Sequence, residues 1–162
     1  QEVFTRIQNE HFHSDDIVRG ILEEEQQMVF RARMAVTFVL QTAVMKHMNA
    51  IDKHQQILAD AADLLMRLYA MDSSVLRAIK YSKSHQTNDS MHQILAQYYV
   101  HTTFEQLLPF CANILREVTE TNEMATAYQS LYKMLPMSTL PLQNLRDMIS
   151  KYFFEKLSYH LA

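Results

Sequence analysis

A single glycine in 162 residues, with only three prolines beside it, is the first constraint on this chain. Tight hairpin turns lean on glycine or asparagine at positive φ, and phosphate-cradling loops on several glycines close together. Their scarcity excludes a large antiparallel sheet and a nucleotide-binding α/β fold. Tryptophan is absent and cysteine occurs once, as Cys111, so no internal disulfide can form. A reducing compartment is therefore expected, the cytoplasm or a mitochondrial matrix. The formal charge of −3 gives no electrostatic pull towards nucleic acid. No apolar run reads as long enough to cross a bilayer, and no signal peptide is recognisable. The chain starts at Gln1 rather than Met, which suggests a processed protein or an excised piece of a longer one.

What is present points one way. Hydrophobic residues make up 48% of the sequence, enough for a core and too many for a disordered chain. Methionine is abundant at 11, and it both favours helix and fills irregular gaps between helices. The stretch Lys53 to Lys80 is the strongest element. Ile57, Ala61, Leu64, Leu68, Met71, Val75 and Ile79 follow one another at four- and three-residue spacing, which lines them up on one stripe of a helix. Asp52 and Gln55 supply a capping pair at its start, and Asp63 and Arg67 stand one turn apart on a flank. Lys80, Lys83 and His85 place positive or titratable groups where the helix dipole favours them. This helix is expected to be the one around which the others are arranged.

Before it, residues 1–14 read as a tether or short helix. Ser14, Asp15 and Asp16 offer acceptors at a helix start. A helix to about His47 follows, with Ile17, Ile21, Met28, Ala32, Ala35, Val39 and Ala43 near one face, about 45 Å long at 1.5 Å per residue. Met48 to Ile51 makes a tight connection with Asn49 in the left-handed cap position, forcing the next helix antiparallel. Downstream, Ser90 and Gln93 form a second capping box ahead of a helix carrying Met91, Ile94, Leu95, Tyr98, Thr102, Leu108, Ile114 and Leu115, which Pro109 should bend or end. A break at Thr119 to Asn122, a short helix from Glu123 to about Leu135 and a stop at Pro136 come next. Ser138 or Thr139 then caps a last helix with Pro141 in its first turn, buried along Met148, Ile149, Tyr152, Phe153 and Leu157. The whole, residues 1–162, reads as one all-α domain, an antiparallel up-and-down bundle of four to five helices.

Candidate chemistry is sparse. Carboxylate-bridged di-metal bundles need two Glu-x-x-His pairs plus two further carboxylates facing one core. Only Glu10 and His13 make such a pair, with Asp89 and His92 as a lookalike, so solvated surface residues are the better reading. His11 and His13 could chelate a metal, but an exposed tail explains them more simply. His47 and His54 straddle the first connection as polar end-groups. Cys111 has no basic neighbour in sequence and lies among apolar side chains, where a structural thiol is the default and a nucleophile a long shot. Asp60 and Asp72 stand about 18 Å apart along one helix, too far to act as an acid–base pair. The C-terminal run KYFFEKLSYHLA exceeds what a core needs more than any other stretch, and ordinary packing is preferred there over docking to a partner or membrane.

One stretch carries a family likeness. Leu58-Ala59-Asp60, followed by Tyr69-Ala70-Met71-Asp72-Ser73-Ser74-Val75-Leu76-Arg77, resembles a helix of the extra C-terminal helical domain of acyl-CoA dehydrogenases, in the very-long-chain type and its bacterial relatives. Pro136-Met137-Ser138-Thr139 with Leu142 and Arg146 is similar to the start of that domain's last helix. The likeness runs from about Lys46 to Phe110 and is sparse elsewhere. Richness in His, Gln and Met, and Pro109 in a helix expected to be continuous, depart from the pattern. In that family the FAD, the acyl thioester and the catalytic glutamate belong to the dehydrogenase core that precedes this domain. The resemblance therefore implies no catalytic, cofactor-binding or metal residue in this chain, and a role in bracing that core, its dimer or a membrane contact. The parent enzyme would remove two hydrogens across the α,β bond of a fatty acyl thioester in fatty acid oxidation. A stand-alone helical interaction module or adaptor, and a metal-binding bundle, are the alternatives.

Overall fold

The computed structural model describes residues 17–85 and 90–156. Among these are five α-helices and no strand: α1 (Glu23–His47), α2 (Gln55–His85), α3 (Met91–Val118), α4 (Met124–Met134) and α5 (Leu142–Lys156), with a 3-10 turn over Met48–Lys53 between the first two. The expected all-α bundle is what forms. Cross-helix contacts give its directions. Arg33 pairs with Asp72 and the His47 ring lies on His54, so α2 runs back along α1. Ser82 meets Gln93 and Arg67 meets Gln106, so α3 runs back along α2. The fourth, returning segment is split. Tyr128 donates to the Ala112 carbonyl, Ser138 reaches His101, and Arg146 lies over the Tyr98 ring. Thus α4 and then α5 both run antiparallel to α3, each along a different part of it.

Residues at helix starts deviate from the sequence reading. Ser14, Asp15 and Asp16 lie outside the described residues, and residues 17–22 form a turn rather than helix. Gly20 takes φ 81°, one place where only glycine is unstrained, and Leu22 is left-handed at φ 52°. The Gln26 side chain holds this turn. Its Nε2 donates to the carbonyls of Val18 and Ile21 at 2.9 and 2.7 Å, while its Oε1 accepts from Val18 N–H at 2.9 Å. Helix α1 therefore begins at Glu23, and Glu23, Glu24 and Glu25 put three carboxylates at the positive end of its dipole. At the other end Met48, not Asn49, takes the positive φ, and Asp52 is absorbed in the 3-10 turn instead of capping α2. Ser90 does cap α3, accepting from Gln93 N–H at 3.4 Å. The Gln93 side chain, though, turns away to donate to Ser82 Oγ at 2.8 Å, which ties α3 to α2 instead of closing a capping box.

The buried stripes are partly as expected. Met28, Ala32, Ala35, Val39 and Ala43 are buried on α1, joined by Val29, Met34, Val36 and Phe38, so apolar side chains reach the interior over a wide arc. By length and composition α1 is long and apolar enough to cross a bilayer, contrary to the sequence reading. Packing against α2, α3 and α4 accounts for that apolarity. On α2, Ile57, Leu64, Met71, Val75 and Ile79 are buried, whereas Leu68 and Ala61 are only half-buried. The expected Asp63–Arg67 pairing gives way to a cross-helix one: Arg67 donates to Gln106 Oε1 at 2.9 Å and covers the Phe110 ring 4.3 Å from its centroid.

Helix α3, not α2, is the hub, because it alone packs against every other helix. Its buried residues include Ala96, Val100, Phe104, Leu107, Cys111, Ile114, Leu115 and Val118; of the expected stripe only Ile114 and Leu115 are among them. Pro109 does not end this helix. It sits on the exposed side, where the carbonyl freed by its missing N–H can be hydrated, and buried neighbours Leu107 and Cys111 hold both flanks. The last helix starts at Leu142, after Pro141 rather than around it. It packs against α3, with Leu145 buried and Ile149, Tyr152 and Phe153 half-buried. Met148 is exposed instead of buried, and Leu157 lies outside the described residues.

Candidate functional site

The segment between α4 and α5 delivers one side chain to a place the sequence reading missed. Ser138 was expected to cap α5. Instead its Oγ lies 2.6 Å from His101 Nδ1, and it accepts from Leu140 N–H at 3.2 Å. His101 Nε2 is in turn 3.1 Å from Glu25 Oε1. The histidine is 0% exposed and the glutamate 3% exposed. One proton arrangement satisfies every atom: Leu140 N–H donates to Ser138, the Ser138 hydroxyl donates to Nδ1, and Nε2–H donates to the Glu25 carboxylate. A signal for this was present in the sequence. His101 falls in phase with Phe104, Leu107 and Cys111 on a helix whose other buried side chains are mostly apolar, and a histidine in that position needs partners.

Serine, histidine and glutamate in a row have the connectivity of a nucleophile, a base and an orienting carboxylate. Space decides against that chemistry. The cavity beside Ser138, lined by Glu24, Gln27, Arg31, Phe104, Met137 and Thr139, holds about 190 Å³, below the roughly 300–1,000 Å³ of ligand pockets. The trio instead ties α1, α3 and the α4–α5 connection together in the interior.

The other candidate residues are dispersed. Glu10, His11, His13 and Asp89 lie outside the described residues, and no three His, Cys, Asp or Glu converge among the described ones. Asp60 accepts from the Gln56 side chain at 2.9 Å and Asp72 pairs with Arg33 at 3.4 Å, so each has its own local partner. Burial pushes the Cys111 thiol up to about 12, which leaves no thiolate for nucleophilic attack near neutral pH. On α5, Lys151 pairs with Glu155 at 3.9 Å and the Tyr152 ring meets Phe153 edge-on, while Phe154 stands exposed.

Two histidines are perturbed. Desolvation, then the neighbouring His54 and Lys46, holds His47 below its ordinary value of 6.5. Desolvation, then Arg77 and His85, does the same to His92, whose ring stacks on Tyr81 at 3.8 Å. Each therefore binds its proton more weakly in the folded than in the unfolded chain. Their contribution is complete above about pH 6.5 and is lost as pH falls from there through the lowered folded values. Glu120, held below its usual range by its hydrogen bond and charge contact with Lys46, acts in the same direction at more acid pH. The urea midpoint is expected to drop between pH 7.5 and pH 5.5, and an unchanged midpoint would contradict this account.

Two grooves of larger size open on the surface, one of about 650 Å³ between α2 and α3 and one of about 660 Å³ between α1 and the α3–α4 connection. Exposed apolar side chains also form a second stripe on α2, a quarter turn from its buried face: Leu58, Leu65, Tyr69 and Leu76, with Met66 beside them.

Comparison with known proteins bears on these surfaces. The family described as "Acyl-CoA dehydrogenase, C-terminal domain" matches residues 31–133, more than half of the chain and inclusive of the 58–77 stretch. A probable acyl-CoA dehydrogenase of Bacillus subtilis (strain 168) is 28% identical over 116 residues, covering 71% of this chain and 20% of the relative. The crystal structure of an acyl-CoA dehydrogenase complexed with FAD from Bacillus anthracis superposes with a TM-score of 0.87 at 22% identity. That match covers 99% of this chain and 27% of the other. The bundle fold is thus shared with it, and this chain spans between a fifth and about a quarter of these relatives' length. On the family match over residues 31–133, the chain belongs to the acyl-CoA dehydrogenase C-terminal domain family.

Proposed function

We propose that this bundle is a non-catalytic helical domain that braces the core of an FAD-dependent acyl-CoA dehydrogenase acting in fatty acid oxidation. The observation that carries this reading is the second apolar stripe of α2. Leu58, Leu65, Tyr69 and Leu76 recur at spacings of seven, four and seven residues along one line of the helix, with Ala62 in the first gap and the polar Asp72 and Ser73 in the second. All four large side chains are exposed, Tyr69 by 75%. An exposed line of large apolar side chains of this kind marks a surface meant to be covered. The relatives supply the rest of a dehydrogenase beyond the matched part, which is what such a surface would meet. Bracing asks for burial rather than chemistry, in keeping with the inert thiol and the cramped Ser138 cavity.

Steady-state kinetics and sedimentation of the whole dehydrogenase, with and without this domain, test the reading. The truncated enzyme is expected to keep its active-site chemistry but to lose stability, dimerisation or activity on long acyl chains. Replacing Leu65 with Asp, which leaves the buried face of α2 untouched, should reproduce part of that loss. The isolated chain with added FAD and an electron acceptor should oxidise no acyl-CoA. A truncated enzyme equal to the full-length one in every respect would refute bracing, and turnover by the isolated chain would refute the non-catalytic assignment.

A further inference from the structure

The groove between α2 and α3 differs in character from the apolar stripe, which it adjoins at Leu76 near the C-terminal end of α2. Its walls include Arg77, Lys80 and Tyr81 from α2 and His92, Tyr98 and Tyr99 from α3. Three features set it apart. The first is charge. The chain as a whole is acidic, yet from Ser73 to Phe104 the sequence holds Arg77, Lys80 and Lys83 against one acid, Asp89. Among the described residues no carboxylate pairs with Arg77 or Lys80, and Arg146 of α5, over the Tyr98 ring at 5.8 Å, adds a further cation beside the groove.

The second is order. The Tyr81 ring is sandwiched between His85 and His92, with centroids 4.1 and 3.8 Å away. Below it the Ser82–Gln93 hydrogen bond and the Ser90 cap lock α2 against α3. The helix pair and the Tyr81–His92 part of the wall are therefore set before any ligand arrives, which lowers the entropy cost of binding. The third is shape. About 650 Å³ falls within the range of small-molecule sites, and Tyr99, exposed on the α3 side, offers an aromatic face within it.

We infer that this groove binds a nucleoside diphosphate, with its phosphates on Arg77 and Lys80 and its base against Tyr99. Cations alone would suit any small anion, and tyrosines alone any flat apolar ring. A ligand that joins a charged phosphate group to a planar base uses both walls at once. A carboxylate-bearing peptide would leave the aromatic face unused, and inorganic phosphate would leave most of the volume empty. The groove and the bracing stripe adjoin at Leu76, one turn before Lys80, so ADP binding by the isolated chain tests the groove without the bracing contact.

Calorimetric titration of the 162-residue chain with ADP, adenosine and pyrophosphate tests it. One ADP per chain is expected, bound at least about tenfold more tightly than either half-ligand. Arg77→Ala and Tyr99→Ala should each weaken it by about tenfold, as expected for loss of one charge-assisted or stacking contact. Lys53→Ala, in the 3-10 turn ahead of α2 and far from the groove, should not. Arg77 and Tyr99 are exposed, so both variants should keep the parental urea midpoint, and ADP should shift the His92 ring resonances while leaving those of His47 in place. Pyrophosphate binding as tightly as ADP would reduce the groove to a cationic patch and overturn the inference. So would the absence of saturable binding at millimolar ADP, or unchanged affinity in a folded Arg77→Ala variant.

Discussion

His101→Ala is expected to destabilise the chain by about 3 to 5 kcal/mol, the usual consequence of removing one partner from a buried ionic or hydrogen-bonded pair. The reason lies in what remains. Glu25 is 3% exposed on the first turn of α1, and its Oε1 meets His101 Nε2 at 3.1 Å. Without the imidazole the carboxylate has neither that donor nor free access to water, so it must move, take up a proton or draw water into the interior. Ser138 loses its partner at the same time, and with it the α4–α5 connection loses its anchor on α3. Urea denaturation of the single variants and of a Glu25→Leu, His101→Leu double variant separates these effects. The double variant should recover much of the loss, because it leaves no buried carboxylate without a partner and only the half-buried Ser138 hydroxyl loses its acceptor. A single-variant loss under about 1 kcal/mol would mean that the network is hydrated in solution, outside the usual range for a buried pair.

Leu64→Ala is the second large effect, expected at about 2 to 5 kcal/mol, and its neighbour Leu68 provides the control. Both lie on the same sequence stripe of α2, four residues apart, and the sequence does not distinguish them. Leu64 is 0% exposed, in the cluster with Ala35, Val39, Leu107 and Cys111, while Leu68 packs against that cluster half-buried. Truncating Leu64 leaves a cavity that surrounding helices can only partly fill. Truncating Leu68 opens to solvent, so it forfeits mainly transfer energy and should cost no more than about half as much. Equal losses at the two positions would place the axis of α2 in a different rotation from the one described here.

Much of the architecture was legible because it is local. Glycine scarcity and helical spacing suffice for an all-α bundle, and the breaks at residues 119–122 and around Pro136 survive intact, since capping, proline chemistry and periodicity act within a few residues. The likeness of residues 58–77 to the acyl-CoA dehydrogenase C-terminal domain was legible for a related reason, being a pattern within a single helix. What needed the tertiary structure involves residues far apart in the chain. Pro109 reads as a helix breaker by its own chemistry, yet side chains packed on either side of it carry α3 through. The hub is α3 rather than α2, because that depends on how many neighbours a helix has and not on how regular its stripe is. Glu25, His101 and Ser138 are separated by 76 and 37 positions and come together only when α1 packs on α3 and the α4–α5 connection returns along it. Periodicity did mark the inward line of α2, with Ile57, Leu64, Met71, Val75 and Ile79 buried as expected, but it said nothing of the second apolar line. The summed burial against α1 and α3 leaves that line, Leu58, Leu65, Tyr69 and Leu76, outside.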